Sequence, residues 1–313
     1  MTKGIHHISA IASDAQKTID FYSGILGLRL VKQTVNQDDP GTYHLFFGDT
    51  EGSPGMDLTF FIFLPSHRGS IGNGQVSRVS LAIPEAALPF WKQRLTQHAI
   101  PFTERKRFDH NRIAFRDFDG LHLELVETRH ADTIDDSHVW ASSDIQKKYA
   151  IRQFHSATLQ VHATAGILPI LTGLLGYTTI TTDAETTLFG ISDSTRASLL
   201  ELSQNPATPS GLQGAGTVHH IAFRACHEKQ QNDIRTQIER LGLYPTEVID
   251  RFYFKSVYFR TPAGILFEIA TDGPGFTADQ SESDLGTSLS LPPFLRPFQA
   301  EIEKNLPKLI IKT

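Results

Sequence analysis

The sequence predicts an α+β fold built from four copies of one βαβββ module, and three observations carry that prediction. Two segments align without a gap: Phe115-Arg116-Asp117-Phe118-Asp119-Gly120-Leu121-His122-Leu123-Glu124 on Phe259-Arg260-Thr261-Pro262-Ala263-Gly264-Ile265-Leu266-Phe267-Glu268. Both read as strand, tight turn and strand, with a glutamate four residues beyond the turn glycine. Each is preceded by a strand, a helix-period stretch and another strand: Val76–Ile83, Glu85–His98 and Phe102–Phe108 in one copy, Val218–Arg224, Glu228–Leu241 and Thr246–Tyr253 in the other.

The remaining modules follow the plan more loosely. Ile5–Ile11 alternates as a strand, and Asp14–Leu26 places Ile19, Phe21, Tyr22, Ile25 and Leu26 on a helical stripe closed by Gly27. Leu28–Thr34, Thr42–Phe47 and Met56–Phe63 supply the other strands of this first module. In the third, Phe154–Val161 is the strand, Gly166–Leu175 the helix stopped by Gly176, and Tyr177–Thr182, Thr187–Ile191 and Ala197–Leu202 the remaining strands. The modules span 1–75, 76–150, 151–215 and 216–277, with Arg129–Ala150 as connection and 278–313 as a C-terminal tail. The tail carries a short helix at Gln299–Leu306, and its apolar run predicts packing on the body.

Composition narrows the chemistry. The 313 residues hold 29 basic and 34 acidic side chains, a net charge of −5 that argues against wrapping nucleic acid or coating a membrane. No stretch approaches the roughly 18 consecutive apolar residues of a spanning helix, and the N-terminal residues lack an apolar signal core, so a cytoplasmic protein is expected. The single cysteine, Cys226, excludes an intrachain disulfide and a thiolate-rich metal site. Any metal must be held by nitrogen and oxygen, for which 14 histidines are available.

Differences between the copies point to one site. The first strands of modules one and four carry Ile5-His6-His7-Ile8-Ser9 and Val218-His219-His220-Ile221-Ala222, whereas modules two and three have Val76-Ser77-Arg78-Val79-Ser80 and Phe154-His155-Ser156-Ala157-Thr158. Strand alternation sets His6 and His219 with the more apolar neighbours and leaves His7 and His220 on the polar face. By the same alternation Glu268, between Phe267 and Ile269, faces away from the buried side. Modules one and four can therefore assemble two imidazoles and one carboxylate, while modules two and three offer Arg78, Ser156 and Glu124 or Glu201, a poor metal cage. Such a triad leaves about three coordination positions open and suits non-haem Fe(II), with Mn, Zn and Ni also compatible.

These features resemble the vicinal oxygen chelate superfamily, and within it the four-module ring-cleaving dioxygenases that open hydroquinones. The carriers are Gly4-Ile5-His6-His7-Ile8-Ser9, Phe21-Tyr22, Gly27-Leu28-Arg29-Leu30-Val31-Lys32, Asp38-Asp39-Pro40-Gly41-Thr42-Tyr43-His44-Leu45-Phe46, Ala150-Ile151-Arg152-Gln153-Phe154-His155-Ser156, Val218-His219-His220-Ile221-Ala222-Phe223 and Leu291-Pro292-Pro293. The resemblance implies modules paired into two cupped half-barrel domains, modules 1 and 4 bearing the metal and modules 2 and 3 forming a degenerate counterpart. It implies His7, His220 and Glu268 as iron ligands, the set the repeat comparison reaches independently. It further implies Arg251, Tyr258, His6 and His219 as catalytic residues of the pocket and Ser9 as a substrate contact.

The activity so implied is Fe(II)-dependent opening of a hydroquinone- or catechol-type ring by O₂. A small aromatic substrate and O₂ are the partners, with no nucleic acid or membrane, and homo-oligomerisation is left open. A glyoxalase-like isomerase or thiol transferase is the first rival, disfavoured because Thr59 stands where a second carboxylate is usual. A non-catalytic binder of aromatic compounds is the second, disfavoured by the triad itself.

Overall fold

The computed structural model describes residues 1–64, 66–142, 144–192, 194 and 196–311. In chain order the strands are β1 (Ile5–Ala12), β2 (Arg29–Asn36), β3 (Asp39–Gly48), β4 (Asp57–Ile62), β5 (Gln75–Ile83), β6 (Phe102–Arg107), β7 (His110–Arg116) and β8 (His122–Glu127). They continue as β9 (Gln153–Val161), β10 (Thr178–Asp183), β11 (Thr186–Gly190), β12 (Leu199–Gln204), β13 (Thr217–Ala225), β14 (Ile249–Asp250), β15 (Lys255–Arg260) and β16 (Leu266–Thr271). The α-helices are α1 (Ala15–Ile19), α2 (Leu88–Gln97), α3 (Glu228–Arg240) and α4 (Gln299–Asn305).

The strands form two curled eight-stranded half-barrels, ordered β14-β15-β16-β13-β1-β4-β3-β2 and β10-β11-β12-β9-β5-β8-β7-β6. The first sheet therefore joins strands from the two ends of the chain, and the second holds the strands between residues 75 and 204. Each closes on an antiparallel pair of first strands, β1 with β13 and β5 with β9, flanked by parallel partners β4, β16, β12 and β8. This is the predicted α+β architecture.

Apolar alternation builds the packed side of each sheet. Ile8, Ile221, Phe223, Phe267 and Ile269 are fully buried, and α3 lies over β13, β15 and β16 with Ile234 and Ile238 inward. The buried Gln231 donates from its amide to the carbonyls of Lys255 and Ile269, both at 2.7 Å, which ties the helix to the sheet. In the tail, Leu291, Leu295, Ile302 and Leu306 are buried in the same core. Among the described residues no helix is long and apolar enough to cross a membrane.

Three local expectations change. The Asp14–Leu26 and Gly166–Leu175 helices contain π-helical turns at Asp20–Ile25 and Ile170–Leu175, wider than the predicted α-helical stripe. The Glu85–His98 helix begins only at Leu88, because Ala86 adopts φ 63° and Pro89 suits a first turn. The Thr246–Tyr253 strand contracts to Ile249–Asp250 at the sheet edge, where the chain turns sharply through Phe252 at φ 71°.

Candidate metal centre

The first half-barrel brings His7 on β1, His220 on β13 and Glu268 on β16 together. His7 Nε2 lies 3.2 Å from His220 Nε2 and 3.2 Å from Glu268 Oε2, and His220 Nε2 lies 2.9 Å from the same oxygen. Ligands about 2.1 Å from one centre and at right angles stand about 3.0 Å apart, whereas tetrahedral angles spread them to about 3.4 Å. The observed spacings, 2.9 to 3.2 Å, lie close to this span, so the three atoms can reach one ion. Glu268 is fully buried, and its Oε2 has no hydrogen bond of good geometry among the described residues, an orphan acceptor of the kind that binding a cation satisfies. Its other oxygen accepts from Ser256 Oγ at 2.6 Å. Burial raises the Glu268 carboxyl, but His7 and His220 outweigh it and hold the group well below the usual carboxylate range. Burial also lowers His220, favouring the neutral imidazole a metal requires.

The neighbouring histidines are placed by register. Between Ile5 and His7, β1 advances two residues against one on β13, and between Ser9 and Ala10 the extra residue falls on β13. His6 and His219 are thus the inserted residues of two β-bulges, which re-aim side chains locally. Each turns back onto the histidine that follows it: His6 Nδ1 lies 3.0 Å from His7 Nδ1, and His219 Nδ1 lies 2.8 Å from His220 Nδ1. His6 Nε2 reaches the Thr271 carbonyl at 3.0 Å, so it carries the proton there, leaving Nδ1 to accept from His7 Nδ1–H and directing the His7 Nε2 lone pair to the centre. Burial lowers both His6 and His219 to about 3, so both are neutral.

A cavity of about 40 Å³ opens beside the triad, walled by His7, Ser9, His44, His220, Arg251 and Tyr258 among others. His6 and His219 are not on this wall, in contrast to the pocket-lining positions implied for them by resemblance. Ser9 is on it, its hydroxyl 2.7 Å from Thr59 Oγ1, which lies 2.9 Å from His44 Nε2. Tyr258 stands beside His220 with ring centroids 5.5 Å apart, and the Arg251 guanidinium lies 5.6 Å from the Tyr258 ring. Burial pushes the Tyr258 phenol up, so it carries its proton at neutral pH. His44, stacked on Phe61 with centroids 4.0 Å apart, and Asp38, paired to Arg251, also face the cavity and were not singled out from sequence. Neither has a chemical counterpart in another module, so the repeat comparison gave no signal for them.

A curled βαβββ sheet pair with a two-histidine, one-glutamate face defines a protein class. Residues 4–125 match the Glyoxalase/Bleomycin resistance protein/Dioxygenase superfamily, and the chain belongs to that superfamily. It is 40% identical over 305 residues to the "Putative ring-cleaving dioxygenase MhqO" of Bacillus subtilis (strain 168), covering 97% of this chain and 96% of that protein. It is 31% identical over 313 residues to the "Chlorohydroquinone/hydroquinone 1,2-dioxygenase" of Sphingobium indicum, covering 97% and 96%. A crystal structure of a putative dioxygenase from Bacillus subtilis superposes with a TM-score of 0.94 at 39% identity, over 99% of this chain and 98% of that one. Maize (Zea mays) glyoxalase I shares the fold at a TM-score of 0.63 and 15% identity, over 90% and 96%.

Proposed function

We propose that this chain is an Fe(II)-dependent dioxygenase that opens a hydroquinone- or catechol-type ring with O₂. The observation that carries the reading is the convergence of His7, His220 and Glu268 within reach of one ion, beside a cavity walled by Tyr258 and Arg251. The 1,2-dioxygenase name of the Sphingobium relative supports a hydroquinone substrate over the glyoxalase-type rival. In this reading the chain divides into a metal-bearing unit made of modules 1 and 4 and a metal-free unit made of modules 2 and 3.

His7, His220 and Glu268 would hold the iron, which when bound supplies a Lewis-acidic centre where a phenolate and O₂ are handled together. The chain's own groups do the rest. The Glu268 carboxylate contributes one negative charge against the cation and is braced by Ser256. The protonated Tyr258 and cationic Arg251 lie on the same wall, placed to donate toward oxygen atoms on the ring as negative charge develops. Ser9, already paired with Thr59, is positioned to orient a ring substituent. His6 and His219 act through the imidazoles they touch, fixing tautomer and ring plane.

Metal analysis of anaerobically purified protein, followed by oxygen uptake on hydroquinone, catechol and a thiol hemiacetal, tests the proposal. One iron per chain and uptake with hydroquinone are expected, and Glu268→Gln should lose both. Isomerisation of the hemiacetal without oxygen uptake would establish the glyoxalase-type rival, and full activity in Glu268→Gln would remove the assigned ligand set.

A further inference from the structure

The second half-barrel repeats the geometry of the first with different chemistry. Its β5–β9 pair carries the same two register shifts, so Ser77 takes the bulge position of His219 and His155 that of His6. Glu124 repeats Glu268, and Glu201 stands where the first sheet has Thr59. Between these two fully buried carboxylates lies the Arg112 guanidinium, whose Nη1 is 2.7 Å from Glu201 Oε1 and 3.1 Å from Glu124 Oε2. A built-in cation thus fills the place that corresponds to the metal.

Arg112 is not alone. Arg105 and Arg78 also pair with Glu124, and Arg107 pairs with Glu201 at 3.2 Å. Four guanidiniums face two carboxylates, leaving two positive charges in excess at a largely buried location. Arg112 Nε and Nη2 and Arg105 Nε are buried with no hydrogen-bond partner among the described residues. Burial, joined by the charges of Arg78, Arg107 and Arg112, lowers Arg105 to about 10. Such crowding is relieved by an anion.

Room for one exists. A cavity of about 480 Å³ is lined by Arg78, Arg105 and Arg116, with Thr103, Ala114 and His122 on the same face of the sheet. That volume falls within the ~300–1,000 Å³ range of small-molecule sites. The carboxylate on its wall, Asp117, is already engaged by the Tyr22 hydroxyl and by the amides of Asp119 and Leu121, so it does not neutralise the arginines. Burial lowers His122, on the same wall, to about 4, so it is neutral.

We propose that the second half-barrel is a binding site for a small organic carboxylate, its carboxylate held by Arg78, Arg105 and Arg116. The site is separate from the metal centre and does not depend on the reaction assigned to it.

Calorimetric titration of the intact protein with benzoate, with benzyl alcohol as the neutral counterpart, tests the proposal. Benzoate is expected to saturate one site per chain, with affinity falling as salt rises, and benzyl alcohol to bind negligibly. Arg105→Gln should weaken benzoate by at least about tenfold, the loss of one charged hydrogen bond. Arg116 is exposed and outside the Glu124–Glu201 cluster, so Arg116→Gln gives a variant whose fold is not at stake and should weaken benzoate in the same direction. Arg251→Gln, in the other half-barrel, should leave benzoate affinity unchanged. Equal affinity for benzyl alcohol, unchanged affinity in both Arg105→Gln and Arg116→Gln, or loss in Arg251→Gln alone would each overturn the assignment.

Discussion

Arg251 and Asp38 form a two-point ion pair across the mouth of the metal-side cavity, Nη1 to Oδ1 at 3.1 Å and Nη2 to Oδ2 at 2.9 Å. Asp38 lies in the turn between β2 and β3, and Gln37 beside it donates to the Arg251 carbonyl at 2.8 Å. The hairpin is thereby latched over a cavity of about 40 Å³, far below the ~300 Å³ at which small-molecule sites begin. Admitting an aromatic ring requires the latch to yield. The Asp38 side chain is 71% exposed and that of Arg251 17%, so the pair contributes at most about 1 kcal/mol. Asp38→Asn should lower KM for hydroquinone by no more than about fivefold with kcat little changed, read from steady-state oxygen uptake. A raised KM would mean that Asp38 itself contacts substrate.

Tyr258 offers a separable test of the cavity wall. Tyr258→Phe keeps the ring edge against His220 and removes only the hydroxyl. Iron content and thermal stability should be unchanged while kcat falls by about a hundredfold, the scale of a lost proton donor. A variant that lost iron in parallel would place Tyr258 in holding the centre instead.

The contact from His6 to His7 predicts an effect on the metal rather than on turnover per metal. His6→Leu removes the acceptor that holds the His7 tautomer, and iron affinity should fall by about 10–100-fold. Activity per bound iron should be largely retained. Chelator competition, followed by oxygen uptake at full iron loading, separates the two quantities.

Acid sensitivity follows from the arginine-filled half-barrel. Burial raises Glu201, but Arg112, His155 and Arg107 hold it down at about 2 against an ordinary value of 4.5. A carboxyl lowered in the folded chain stabilises it above its unfolded value, and that stabilisation is lost as pH falls through the folded value. Thermal unfolding should therefore show Tm decreasing from pH 5 toward pH 2. Glu201→Gln should flatten that slope and, by leaving the guanidiniums under-compensated, cost about 3–5 kcal/mol at pH 7.

Repetition made much of this molecule legible. Glu268 stood out because Glu124 sits at the same place in an aligned segment, and His7 and His220 because two modules keep the pair that the other two have lost. The bulges were not legible: an inserted residue leaves no mark in a strand of suitable composition, and it is the bulge that lets His6 touch the residue beside it. Asp38 was not legible as a latch because its partner is 213 residues away. The arginine cluster escaped for a related reason. Arg105, Arg107 and Arg112 lie on the β6–β7 hairpin, and Glu201, the partner of Arg112, is 89 residues away.

The pairing of β1 with β13 also imposes an order of assembly. Residues 75–204 hold all the strands of their own sheet, so that half-barrel has every partner before the last module is made. His7 must wait for a residue 213 positions later, about 10–40 s at the usual pace of synthesis. During that interval β1, paired to β4 on one side, has its other edge open until β13 is made. A chain interrupted after β12 and before β16 can carry a finished arginine-lined cup and still lack Glu268.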